Sequence, residues 1–149
     1  MIAKSELLMG RDVTYASEYT QEISDNLDKL LIPLNQIRTA YNVPMIVNSG
    51  WRPPQINAAT PGAAPASKHM IGLAADIRDT DGALWAWVLQ NLALMQQLGI
   101  YMEDKRWTPG WTHFQLGAPG SGHRIFVPSS APAGAPDAWD GNYDHSFDS

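Results

Sequence analysis

Between residues 16 and 41, apolar side chains return every three or four positions: Ile23, Leu27, Leu30, Leu31, Leu34, Ile37 and Tyr41. That spacing lays a single apolar stripe along an α-helix and commits a long stretch of chain to one wall of a core. The rest of the chain must supply the surface on which the stripe packs. Pro33 falls inside the repeat, where a ring without an amide hydrogen predicts a kink or a break. Asn42 follows as a helix stop.

The remaining segments read as shorter pieces. PMIVNSGWR, residues 44–52, reads as a strand ending near Ser49 and Gly50. Residues 53–66, rich in Pro, Gly and Ala, read as an irregular loop. GLAADIRD, residues 72–79, is a second strand, and residues 81–98 form a second helix that starts at an acidic cap and stops at Gly99. IYMED and WTHFQL flank KRWTPG, whose Pro-Gly marks a turn, so the two runs predict an antiparallel hairpin; IFVP at 125–128 adds a further strand. The expected fold is α+β, a small, mainly antiparallel sheet against two main helices, in one domain over residues 1–128. Residues 129–149 are poor in aliphatics and rich in Ala, Pro, Gly and Asp, the composition of a tail. If ordered, it would dock on its own domain, a second copy or a larger assembly.

Composition narrows the chemistry. The net charge is −5 and no basic run occurs, which argues against a nucleic-acid partner. There is no cysteine, so disulfides, thiolate metal sites and cysteine nucleophiles are all excluded. Any metal must be held by His, Asp, Glu or water. The first residues carry no sustained apolar run, so neither a signal peptide nor membrane insertion is expected.

Of the four histidines, His69 and His113 stand among residues that suit a site, whereas nothing in the spacing around His123 demands a ligand role. In SKHMIGLAAD, His69 and Asp76 are seven positions apart, which an uninterrupted strand would put on opposite faces. Gly72, Ala74 and Ala75 let the chain bend tightly and re-enter a strand with no bulk in the way. With His113, the pair makes two imidazoles and one carboxylate. This is a good zinc set, and it leaves a fourth position for water.

SGWR, then Asn57, then S-x-H-x-x-G-x-A-x-D, then W-x-H form an ordered series: Ser49, Gly50, Arg52; Asn57; Ser67, His69, Gly72, Ala74, Asp76; Trp111, His113. The series resembles the zinc D-alanyl-D-alanine carboxypeptidases and related peptidoglycan endopeptidases, which share the hedgehog-type peptidase fold. The resemblance runs from about the first helix to the hairpin. It implies zinc on His69, Asp76 and His113, an Arg52 that contacts substrate and stabilises the oxyanion, and a Ser67 that hydrogen-bonds substrate beside the metal. Arg52 pairing with a carboxylate and Ser67 capping a turn are the structural alternatives. Gln115 stands where acidic residues are common in the family. A neutral amide there would orient a ligand through a hydrogen bond, on the substrate-binding side of the site.

One departure matters. The family carries a catalytic Glu or Asp three residues before the last histidine, and here that position is Gly110. Glu103 and Asp104 are the substitutes at hand. Strand alternation lets only one of them face His113, and pairing symmetric about the turn selects Glu103. Trp51, Trp107 and Trp111 suggest an aromatic rim, and Trp85 and Trp87 suggest packing. The resulting expectation is a zinc metallopeptidase acting on peptidoglycan stem peptides. The alternative is a zinc-binding structural or wall-binding component of a phage virion, with virion or homo-oligomer contacts through the tail. In either case the chain would be made in the host cytoplasm and meet the wall after release or as part of a particle.

Overall fold

The computed structural model describes residues 1–128. The expectations for the tail, with Trp139 and His145, lie outside the described residues. Two short helices open the chain, α1 (Lys4–Leu8) and α2 (Arg11–Thr14), followed by a 3-10 turn at Ala16–Glu18. The long apolar repeat becomes α3 (Gln21–Tyr41). It begins later than residue 16 because Thr20 caps it, its Oγ1 accepting from Ile23 N at 3.2 Å. The expected break at Pro33 is absent. The helix runs unbroken through a buried Pro33, held by the buried Leu30, Leu34 and Ile37 on the same face. Asn42 ends it in the left-handed conformation at φ 58°, its amide donating to Arg38 O at 3.0 Å.

The sheet has five strands: β1 (Val47–Ser49), β2 (Ala74–Arg78), β3 (Ile100–Glu103), β4 (Trp111–Leu116) and β5 (Ile125–Phe126). Their order is β1-β2-β4-β3-β5, with every pairing antiparallel except β3 with β5. The α+β class and the hairpin are therefore as expected, although the strand expected at 44–52 shrinks to three residues. Three further expectations are corrected. The loop at 53–66 contains a helix, α4 (Pro54–Ala59), whose first residue has its φ pre-set by the proline ring. The helix at 81–98 is two, α5 (Ala83–Gln90) and α6 (Leu92–Leu98). Asn91 divides them, because its side-chain amide donates to Trp87 O at 2.8 Å and diverts a helical acceptor. Trp51 belongs to no rim. It is 0% exposed, with its indole N–H donating to Met70 O at 3.0 Å and its ring 5.3 Å from that of Tyr19.

The core lies between α3 and one face of the sheet. Leu27, Leu30, Leu34 and Ile37 meet Ala75, Ile77, Ile100, Met102 and Phe114 there. Because successive strand residues alternate faces, those five apolar positions turn Asp76, Glu103, His113 and Gln115 to the opposite side. Among the described residues no helix is long and apolar enough to cross a membrane.

Candidate active site

Register brings two of the three expected ligands together. Asp76 on β2 lies directly opposite His113 on β4, and Ser49 on β1 flanks Asp76 from the other side. His69 arrives from a 3-10 turn, Lys68–Ile71, rather than from a strand. Two glycines let that turn close on the sheet. Gly72 takes φ 79°, and a Cβ there would stand 2.9 Å from Ile23 O on α3. A Cβ on Gly50 would collide with the Leu7 carbonyl. Gly50 matters doubly, since its own carbonyl lies 2.8 Å from His69 Nδ1.

These contacts fix the chemistry of each ring. Nδ1–H of His69 donates to Gly50 O, which leaves the Nε2 lone pair pointing inward, 3.2 Å from Asp76 Oδ2. That Nε2 is buried and has no hydrogen-bond partner, an arrangement that costs stability unless a ligand fills it. On His113 the roles are exchanged. Nε2 lies 2.8 Å from Gln115 Oε1 and Nδ1 lies 2.9 Å from Asp76 Oδ1. Gln115 can only accept at Oε1, and its amide is anchored by donating to Gly117 O at 2.9 Å. The proton of neutral His113 is thereby directed to Nε2, and Nδ1 is free to ligate. One ligand atom each from His69, Asp76 and His113 falls within 4.8 Å of the others. Two imidazoles of fixed tautomer, one carboxylate and a buried orphan nitrogen fit a metal ion.

Without a metal, the cluster holds a proton. Burial works to raise the Asp76 carboxyl, but the charge of His69 and the hydrogen bond from His113 keep it far below the usual carboxylate range. Burial works to lower His113, yet the charge of Glu103 and the Asp76 hydrogen bond outweigh it and raise its pKa to about 9. A metal ion would take the place of that proton on Nδ1.

The cluster sits in a cleft of about 1030 Å³ whose wall includes Arg52, Ser67, Lys68, Glu103, Trp107 and Trp111. Glu103, at the end of β3, places Oε1 3.7 Å from His113 Nδ1. Continuing the β3–β4 register one step beyond Met102 opposite Phe114 sets Glu103 opposite His113. Asp104 turns away. It is 1% exposed, caps the next 3-10 turn through Arg106 N at 3.0 Å and binds the Arg106 guanidinium. Gly110 holds φ 89° in the turn, and a Cβ there would meet nothing within 4 Å. The family's usual acid position is thus a left-handed turn residue that faces open space.

Arg52 is buried. Its amide donates to His69 O at 3.0 Å and Nη2 donates to Ser67 Oγ at 3.3 Å, while Nε has no hydrogen-bond partner. Burial lowers its pKa, and the charges of Asp76 and Glu103 work the other way. Ser67 also caps the turn that carries His69, its Oγ accepting from His69 N at 3.2 Å. The turn-capping alternative is therefore present in the fold. Sequence reasoning missed two cations of this cleft, Arg11 and Lys68. Arg11 donates to Trp51 O at 2.8 Å across 40 residues, a contact that no local pattern announces. Lys68 was signalled only by standing beside His69 in the motif.

Comparison with curated proteins and with solved structures returned no match. A family model described as Peptidase M15 matches residues 6–113, from the first helix to the last histidine of the cluster. Members of that family are in general zinc-dependent, in keeping with a His/Asp/His cluster that fits a metal. The chain belongs to the Peptidase M15 family.

Proposed function

We propose that this protein is a zinc peptidase that cleaves peptide bonds in bacterial peptidoglycan stem peptides. The observation that carries the reading is the convergence of His69 Nε2, Asp76 and His113 Nδ1, with Glu103 beside them in an open cleft. Zinc, when bound, supplies a Lewis acid that polarises the scissile carbonyl and makes water acidic enough to attack near neutral pH. Glu103 takes the proton from the attacking water and returns it to the leaving amine nitrogen as the C–N bond breaks. The Arg52 guanidinium, desolvated and fixed by Ser67, donates to the oxygen that gains negative charge. Ser67 offers its hydroxyl to the substrate backbone, and Trp107 and Trp111 shape the wall that the peptide lies along. Gln115 acts through His113, holding the ring so that Nδ1 faces the site.

The proposal extends to where the protein works: on the cell wall, after release from the host cell or carried in a particle. The purely structural alternative rests on Gly110 and on the tail being ordered; against the first of these, Glu103 stands beside His113 as a carboxylate able to take the acid–base role. Digestion of purified muropeptides with the zinc-loaded protein, read by mass spectrometry, tests the activity. One set of peptide-bond products, absent after chelation and restored by zinc, is the expected result. Intact muropeptides with a fully loaded protein would remove the peptidase reading.

A further inference from the structure

Of the Lys and Arg side chains that line the cleft, Arg52 donates to Ser67 and Arg11 to the Trp51 carbonyl, which leaves Lys68. Its neighbours in charge are committed elsewhere: Asp76 lies between two histidines, and Glu103 lies against His113. Among the described residues the Lys68 ammonium has neither a hydrogen bond nor an ion pair, although it lines the cleft one residue from a candidate metal ligand. The end of the Lys68 side chain lies beside Gly117, the residue after β4. A Cβ on Gly117 would stand 3.4 Å from both Cε and Nζ of Lys68, so the end of the lysine packs beside that residue. Gly117 in turn receives the amide of Gln115, which holds His113. The end of Lys68 therefore lies beside the β4 residues that orient His113.

Arg52, by contrast, is committed. It is bonded to Ser67, and the charges that act on it are Asp76, Glu103 and Arg11. The cleft thus presents Lys68 as a cation without a partner near the committed Arg52 and Arg11, within a chain whose net charge is −5. An uncommitted ammonium in the wall of such a cleft favours an anionic group brought by the ligand.

We propose that Lys68 is a specificity-determining residue that selects peptides carrying a second free carboxylate, separate from the oxygen that Arg52 meets. This deepens the peptidase reading and rests on it. In chemical terms, the favoured substrate is a stem-type peptide with an unamidated side-branch carboxylate close to the scissile bond. Its amidated counterpart is the disfavoured one.

The test uses the zinc-loaded full chain and two synthetic peptides, L-Ala-γ-D-Glu-L-Lys-D-Ala with the glutamate α-carboxylate free or as its amide. Both keep the same peptide bonds and C-terminal carboxylate, so the oxygen that Arg52 meets does not differ between them. Affinity is read as Kd by calorimetry and, where a peptide is turned over, also as KM. The free acid should bind about three- to fivefold more tightly at low salt, the range for a partly exposed charge pair, with kcat unchanged. The preference should shrink as salt screens the pair. Lys68→Gln should bring the two peptides to equal affinity, and Lys68→Arg should keep the preference. Equal binding of both peptides by the unaltered chain, or a preference that survives Lys68→Gln, overturns the proposal. Carboxylate-dependent binding without hydrolysis of either peptide would sink the peptidase reading and leave the role of Lys68 standing.

Discussion

Two carboxylates three residues apart, the half-buried Asp76 and the buried Asp79, divide this protein into its chemistry and its architecture. Asp79 is 4% exposed and saturated by the protein itself. It accepts from Leu84 N and Trp85 N at the start of α5, from Thr112 Oγ1 at 2.9 Å and from Lys105 Nζ at 3.2 Å. Its amide also donates to Gly110 O at 2.8 Å, so helix, turn and strand meet on one residue. Asp76 looks similar in sequence, yet its partners are two histidines whose other nitrogens are already occupied by Gly50 and Gln115. A carboxylate met only by fixed donors holds a fold together. One met by imidazoles of fixed tautomer presents converging lone pairs and invites a cation.

Exchanging the two amide variants puts this distinction under the most direct strain, and the expected effect is the largest. Asp76→Asn should take the zinc content from about one per chain to none, measured by elemental analysis after gel filtration, and leave a folded protein. Asp79→Asn should keep the zinc. It should lose about 3 kcal/mol of stability, because an amide cannot accept on both of its ends and the half-buried Lys105 ammonium loses its counter-charge. In a thermal melt that is a drop of about 10 °C. If Asp79→Asn empties the metal site at a temperature where it is folded, the two carboxylates are not separable in this way.

The next contrast sets Glu103 against Asp104, adjacent acids on one strand end. Glu103→Gln should retain zinc and lose muropeptide hydrolysis by about 10²- to 10⁴-fold, the usual contribution of a general base. Asp104→Asn should leave the bond cleavage measurable and lower thermal stability, since Asp104 serves Arg106 and a turn. Full activity in Glu103→Gln would send the proton-transfer role to another group.

Legibility in the sequence followed the same divide. The hairpin could be read because it depends on local periodicity: a tight turn is symmetric about its centre and a strand alternates faces, which also sets Glu103 rather than Asp104 on the side of His113. His69, Asp76 and His113 were signalled by the resemblance of their motif to a family, not by periodicity. What could not be read depends on contacts between distant segments. Pro33 stays inside an unbroken helix because of what its face packs against. Trp51 is drawn from a supposed rim into the core by Met70 and Tyr19. α4 hid in a run of Pro and Ala whose composition suits a loop equally well. Asp79 carried no motif at all, because its four donors come from residues 5 to 33 positions away.

The finest contrast lies within the metal site, between the two means of fixing an imidazole. His69 is oriented by a backbone carbonyl, which no substitution removes. His113 is oriented by the side chain of Gln115, which one substitution can remove. Gln115→Leu should therefore weaken zinc binding by about 10- to 100-fold, measured by competition with a chelator of known affinity. The ring would lose the acceptor that keeps its proton on Nε2, and His113 would ligate through Nδ1 only at the cost of an unpaired buried N–H. Gln115→Glu restores an acceptor at the same place and should recover the affinity, since a carboxylate raises the basicity of the ligating ring. Unchanged affinity in Gln115→Leu would mean that packing alone orients His113, and that the two histidines are held by the same kind of constraint after all.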